Sequence, residues 1–230
     1  MRLTKALLLG ALSLGLGTAC APANPGLTAE GVIAADAMCL VTSSNALLVE
    51  GTLDIDTSIP ATYRPRGISY GAAFRVGNQL INTANRVYPL QADTSRIVIN
   101  HVEVTLLDTS ENVLSLGVPN PFLVPGDGAI GSTSSMDPTI GIAAATVIPD
   151  SYGQILATMY AAGGTILVRA RIIGTTDADL TLTSGPVVFP IRLCVGCLFQ
   201  RACDAMGHPL LTLSCLPGQD ARSLIPGSCP

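Results

Sequence analysis

The chain has no tryptophan, and phenylalanine and tyrosine together make up 4% of it. An aromatic platform of the kind that stacks sugars is therefore poorly supplied. Lysine is nearly absent too: Lys5 is the only one among 230 residues. Beyond it the chain cannot form a lysine Schiff base, a Ser–Lys dyad or a phosphate-loop lysine. Histidine occurs twice, as His101 and His208, too few for a cluster. Charged residues make up 12%, with a formal net charge of −4 and no basic run. That argues against nucleic acid, which wants clustered Lys and Arg, and against peripheral binding to anionic lipid. A long apolar span is also missing, since Ile155–Ile173 is broken by Gly163-Gly164, Arg169 and Arg171. A membrane-crossing helix needs about 20 apolar residues.

The first twenty residues are MRLTKALLLGALSLGLGTAC. Arg2 and Lys5 precede an apolar run from Ala6 to Leu16, then Gly17, Thr18 and Ala19, then Cys20. This is the layout of a secretory signal peptide over residues 1–19. A cysteine directly after the small residues resembles the lipobox of bacterial, Gram-negative lipoproteins, with Gly17 standing where a branched apolar residue is usual. The resemblance implies a mature chain that begins at a lipidated Cys20 and is bound to a membrane through that lipid. Ala21 follows where aspartate would signal inner-membrane retention, so the implied location is the outer membrane. The ending FPIRLCVGC and its cysteine-rich tail resemble envelope lipoproteins of that kind, a likeness that brings no activity with it. Loss of Arg2 and Lys5 with the signal would take the net charge from −4 to −6.

Residues 20–29 read as anchor and tether, because Ala21-Pro22-Ala23-Asn24-Pro25-Gly26 suits neither helix nor central strand. Residues 30–193 alternate apolar and polar with period two, the mark of half-buried strands. Val49, Leu53 and Ile55 share one face, with Glu50, Thr52, Asp54 and Asp56 opposite. Further inward rows are Ile68, Tyr70, Ala72, Phe74 and Val76, then Val98, Val102, Val104 and Leu106, with His101, Glu103 and Thr105 outward. Ile166, Val168, Ala170 and Ile172 follow, then Leu180 and Leu182, then Val187, Phe189, Ile191 and Leu193. Turn signals between them predict a mainly β chain, an antiparallel β-sandwich of immunoglobulin-like general architecture. One short helix is expected, capped by Asp150, with Ile155, Leu156, Met159 and Tyr160 on its apolar side and Gly163-Gly164 at its end.

Setting Cys20 aside leaves six cysteines: Cys39, Cys194, Cys197, Cys203, Cys215 and Cys229. An even number in an exported chain predicts three disulfides, among fifteen possible pairings. Five of the six fall in residues 194–230, predicting a loop-rich tail held by cross-links, with Cys39 available to tie it to the start of the body. Cys194-x-x-Cys197 with Cys203, His208 and Cys215 has zinc-ligand composition, but its later spacings are wide. The CxxC as a redox pair would want a following helix to lower a thiol pKa. Gly67-Ile68-Ser69-Tyr70-Gly71 matches the nucleophile elbow, yet Ser69 reads as part of a continuous strand. Asp54/Asp56 and Asp177/Asp179 could each offer two carboxylates to calcium, without a loop pattern around them. No catalytic, cofactor or metal site is assigned. The expected role is a non-enzymatic envelope protein, structural or interacting. The alternative is a ligand-binding module using the tail or Pro119–Gly128.

Overall fold

The computed structural model describes residues 26–81, 94–133, 137–204, 206 and 208–226. Cys20, Cys229 and the signal segment lie outside the described residues. The chain is mainly β, with one helix among the described residues. Strands run β1 (Leu27–Val32), β2 (Gly51–Asp54), β3 (Tyr70–Asn78), β4 (Ile97–Leu107), β5 (Phe122–Asp127), β6 (Ala129–Ile130) and β7 (Thr139–Ile148). After α1 (Asp150–Met159) come β8 (Gly164–Thr176), β9 (Thr181–Thr183), β10 (Val187–Cys194), β11 (Phe199–Ala202) and β12 (Ser223–Pro226). β1 enters the sheet at Leu27, inside the stretch read as tether.

One large sheet holds the path β1-β3-β7-β5-β4-β8-β10-β2, with β6 on β4 and β9 on β8; β11 and β12 form a separate parallel pair. The mainly β expectation holds at this level; the large sheet is curled and mixed, with β2 running parallel to β10, where an antiparallel sandwich was expected. Strand β5 is the corner. Its first half, Phe122–Pro125, pairs with β4, and its last residues, Gly126 and Asp127, pair with Ala145 and Ala144 of β7. Gly126 lets the bend close, because a Cβ there would sit 3.3 Å from the His101 backbone and 2.9 Å from Ile99. Alternation reports one buried face per strand; it does not distinguish two stacked sheets from one that curls.

The core is continuous across the curl. Tyr70, Phe74 and Val76 of β3, Val102, Val104 and Leu106 of β4, and Ile166, Val168 and Ile172 of β8 lie in it with Phe189 and Ile191 of β10. These are inward rows expected from the sequence. Three expectations fail for local reasons. Val98 is 38% exposed and Ile99 3%, because a bulge between Ile99 and His101 shifts the β4 register against β8. Val49 is exposed, since β2 begins only at Gly51. Leu180 is exposed in the β8–β9 turn, leaving Leu182 as that segment's core residue.

Helix α1 covers one end of the sheet with Gly153, Leu156 and Ala157, while Met159 is exposed. Asp150 is not its cap: the cap position is Pro149, and Asp150 sits in the first turn. Its Oδ1 instead accepts the Ile68 N–H at 2.6 Å. Gly153 packs directly on the Ile68 carbonyl, where no Cβ would fit. Phe122 stacks on Tyr152 at 4.0 Å between ring centres. If the bulge sets the β4 phase, Ile99→Ala should cost about 2–5 kcal/mol and Val98→Ala under about 1 kcal/mol in urea unfolding. Equal losses at both positions would contradict it.

Candidate functional site

Strand directions give the molecule two poles. Leu27, Asn78, Ile97, Thr139 and Thr176 end their strands at one pole, beside the exit toward the N-terminus. Val32, Asp54, Leu107, Ile148 with α1, Gly164 and Cys194 gather at the other. The candidate site is at this second pole.

Asp54, the last residue of β2, is completely buried. Its Oδ1 accepts the N–H groups of Asp56 (3.0 Å) and Gly196 (2.9 Å), and its Oδ2 that of Leu198 (2.8 Å). Arg64, 4% exposed, brings Nη2 to 3.6 Å from Asp54 Oδ1 and donates from Nη1 to the Asp56 carbonyl at 3.1 Å. Its guanidinium lies 5.0 Å from the centre of the Phe199 ring, so Nε and Nη2, which have no hydrogen-bond partner, are covered by an aromatic face. Burial pulls the Arg64 pKa below its ordinary value, against the opposing pull of Asp54, Asp56 and Asp150.

The C-terminal segment crosses this pole as a strap. Gly218, at φ +87°, accepts the Asp54 N–H at 2.9 Å and lies so close to Arg64 that a Cβ would be 3.1 Å from Nε. Gln219 pairs with both backbone groups of Gly71, Oε1 accepting at 2.8 Å and Nε2 donating at 2.6 Å. Thr52 and Asp220 exchange two bonds, the Thr52 N–H to Oδ1 at 2.7 Å and the Asp220 N–H to the Thr52 carbonyl at 2.9 Å. The Tyr70 hydroxyl, inside the core, donates to Asp220 Oδ2 at 2.8 Å. The strap therefore covers the outer edge and second face of β2, where Leu53 and Asp54 are both buried although they point opposite ways. The sequence expectation that Asp54 lies on a polar face is corrected on this ground.

A disulfide fastens the strap. Cys39 bonds to Cys215 across 176 residues, tying the tail to the start of the body as expected, and Cys194 bonds to Cys197 within its own CxxC. Cys203 is disulfide-bonded as well. The zinc set is therefore taken up in bridges, and His208 hydrogen-bonds Asp204 at 3.1 Å. Asp54 does lie with Cys194 and Cys197 within ligand distance, but its oxygens are already filled by three N–H groups and a guanidinium. That also removes Asp54/Asp56 as a calcium pair. Asp177 and Asp179 are exposed at the β8–β9 turn. Ser69 is half-buried just ahead of β3, without the helix an elbow requires; His101 is exposed on β4, opposite Pro125 of β5. The tail is less coreless than expected, since Leu198, Phe199 and Ile225 are buried.

Three adjoining hollows meet around Leu216 of the strap and Gly71 of β3. One of about 270 Å³ lies between the 33–48 segment and the strap. The others, of about 350 and 240 Å³, lie on the Arg66 side. In the Pro119–Gly128 loop Pro119 and Phe122 meet Tyr152 of α1, Pro119 accepting from its hydroxyl at 2.7 Å, and Pro125 lines one of the hollows. No protein-family profile matches the chain, and no curated protein matches it either. Among the described residues no helix is long and apolar enough to cross a membrane.

Removing Asp54 strands a buried guanidinium, so Asp54→Ala should cost about 3–5 kcal/mol in denaturant unfolding. The paired change Asp54→Leu with Arg64→Met should cost less than Asp54→Ala alone; a larger loss would mean the pair stabilises beyond mutual neutralisation. Asp220 supplies a pH signature. Burial, the largest influence, raises its pKa above the usual carboxylate value, ahead of the lowering by bonds from Thr52, Tyr70 and Gln219. A carboxyl with a raised folded pKa favours folding fully below its unfolded value, near 3.9, and that contribution is lost as pH rises through the raised value. Asp220→Asn should flatten stability against pH in that window; an unchanged slope would assign the dependence elsewhere.

Proposed function

We propose that this protein is exported, lipid-anchored at Cys20 to a bacterial outer membrane, and acts there as a non-enzymatic interaction module rather than a catalyst. Disulfide-bonded cysteines support export, because such bridges persist in oxidising compartments. The observation that carries the interaction role is the division between poles. Strand β1 enters the sheet at Leu27, at the pole away from the strap, and runs roughly 20 Å toward the strap side, so the hollows lie at the far end of β1 from the side on which the N-terminal segment joins. A finer sandwich description, two facing layers joined through β5, fits the same reading: the layers form a rigid stand and the strap forms the contact surface.

Multiple acyl chains on Cys20 would hold stably where one binds reversibly. Cys20→Ala should move the protein from the membrane to the soluble fraction and abolish incorporation of a palmitate analogue. Retention of the variant in washed membranes would sink the anchor reading. That result would leave the strap surface untouched as a separate question.

A further inference from the structure

The two hollows on the Arg66 side share Arg66, Gly71, Thr146 and Leu216, and they form one depression on the outer face of β3 and β7. Its floor is almost free of side chains. Gly71 stands opposite Thr146 and Ala73 opposite Ala144, and a Cβ added at Gly71 would meet nothing nearer than 3.8 Å. One wall is Leu216, held over the floor by the Gln219–Gly71 bonds and by the neighbouring Cys215 bridge.

Its lining side chains carry no negative charge: no Asp or Glu lines either hollow, although the chain carries net charge −4. The side chains of Arg66, Ser69 and Thr146 make no hydrogen bond or ion pair with another described residue. Gln219, by contrast, is fully engaged with Gly71. The free groups are thus a guanidinium and two hydroxyls, which suit an acceptor with two oxygens. Beside them, Leu216, Ala73 and Pro125 offer an apolar bed. Volumes of about 240 and 350 Å³, in hollows that share four lining residues, leave room for a ligand of only a few carbons lying along the surface.

We propose that this depression binds a short-chain organic carboxylate, with the carboxylate on Arg66, Ser69 and Thr146 and the apolar chain along Leu216 and Ala73. Charge complementarity selects the ligand: a guanidinium without an acid partner, in an acidic protein, forms a paired bidentate contact with a carboxylate. This names the ligand class for the interaction role above, and rests on that role for its biological meaning only. The binding itself is read on purified protein, whatever its attachment.

The test is calorimetric titration of the purified full chain with hexanoate and, separately, with hexanamide. Hexanoate should bind saturably and hexanamide at least about tenfold more weakly, the scale of a lost charged hydrogen bond. Arg66→Gln should bring hexanoate down to the hexanamide level without lowering the melting temperature, since Arg66 is exposed and unpaired. Arg66→Lys should keep part of the affinity as a point charge, and Gly71→Val should weaken both probes by filling the floor. Equal binding of acid and amide, absence of saturable binding, or an unchanged hexanoate affinity in Arg66→Gln would each overturn the proposal.

Discussion

Two opposite charges out of water at the end of a short edge strand constrain everything around them. Asp54 and Arg64 are 0% and 4% exposed, and each depends on the other and on surrounding dipoles to be tolerated there. The desolvation cost of such a pair can equal its attraction, so its value is better sought in what it specifies than in what it stabilises. It specifies three things at once. The 196–198 backbone must turn its N–H groups toward Asp54, the Phe199 ring must cover the guanidinium, and the strap must cross with a glycine at 218. Residues far apart in sequence meet at one carboxylate. A strap laid elsewhere would leave that charge without its partners.

The sheet and the strap solve different physical problems. The curled sheet buries long apolar rows and needs no cross-link for that. Strand β2, by contrast, is four residues long and lies at the end of the path, with a row of backbone groups open to pairing. The strap closes that edge through the Thr52–Asp220 and Leu53–Gln219 contacts. Its own apolar content is thin, so covalent closure compensates. A bridge such as Cys39–Cys215, closing a loop well over a hundred residues long, removes about 5 kcal/mol of unfolded-chain entropy in the loop model. The Cys39–Cys215 and Cys194–Cys197 bridges both lie at the pole that the strap crosses.

How much of this was legible follows the same division. Inward rows such as Ile68–Val76, Ile166–Ile172 and Val187–Leu193 could be read because each strand buries one face for its whole length. Val98 could not, since a bulge changes phase without changing composition. Asp54 could not, because the second face of β2 is covered by residues more than 140 positions away, whereas Leu53 on the first face is buried as its row suggested. The even cysteine count pointed to bridges and to a tied-down tail, but pairing needs distance. Arg64 carries no sequence signal at all: an arginine in a turn, two residues from Arg66, looks solvated until Asp54 and Phe199 are placed beside it. Ser69 drew notice through a motif, yet its place beside Arg66 in the depression has nothing to do with that motif.

The depression on β3 and β7 exists only because the two systems meet there. Sheet residues Gly71, Ala73 and Ala144 supply a flat floor that no side chain fills, and a floor alone is a surface. Leu216 turns it into a hollow, and Leu216 stays in place because Gln219 grips both backbone groups of Gly71 and Cys215 is bonded to Cys39. The strap in turn rests on Gly218, Arg64 and Asp54. Recognition at this surface is therefore tied to the buried ion pair by a short mechanical chain. Asp54 and Arg64 hold the strap at Gly218, while Gln219 and the Cys215 bridge hold it on either side of Leu216, so the wall of the depression and the buried pair share one segment.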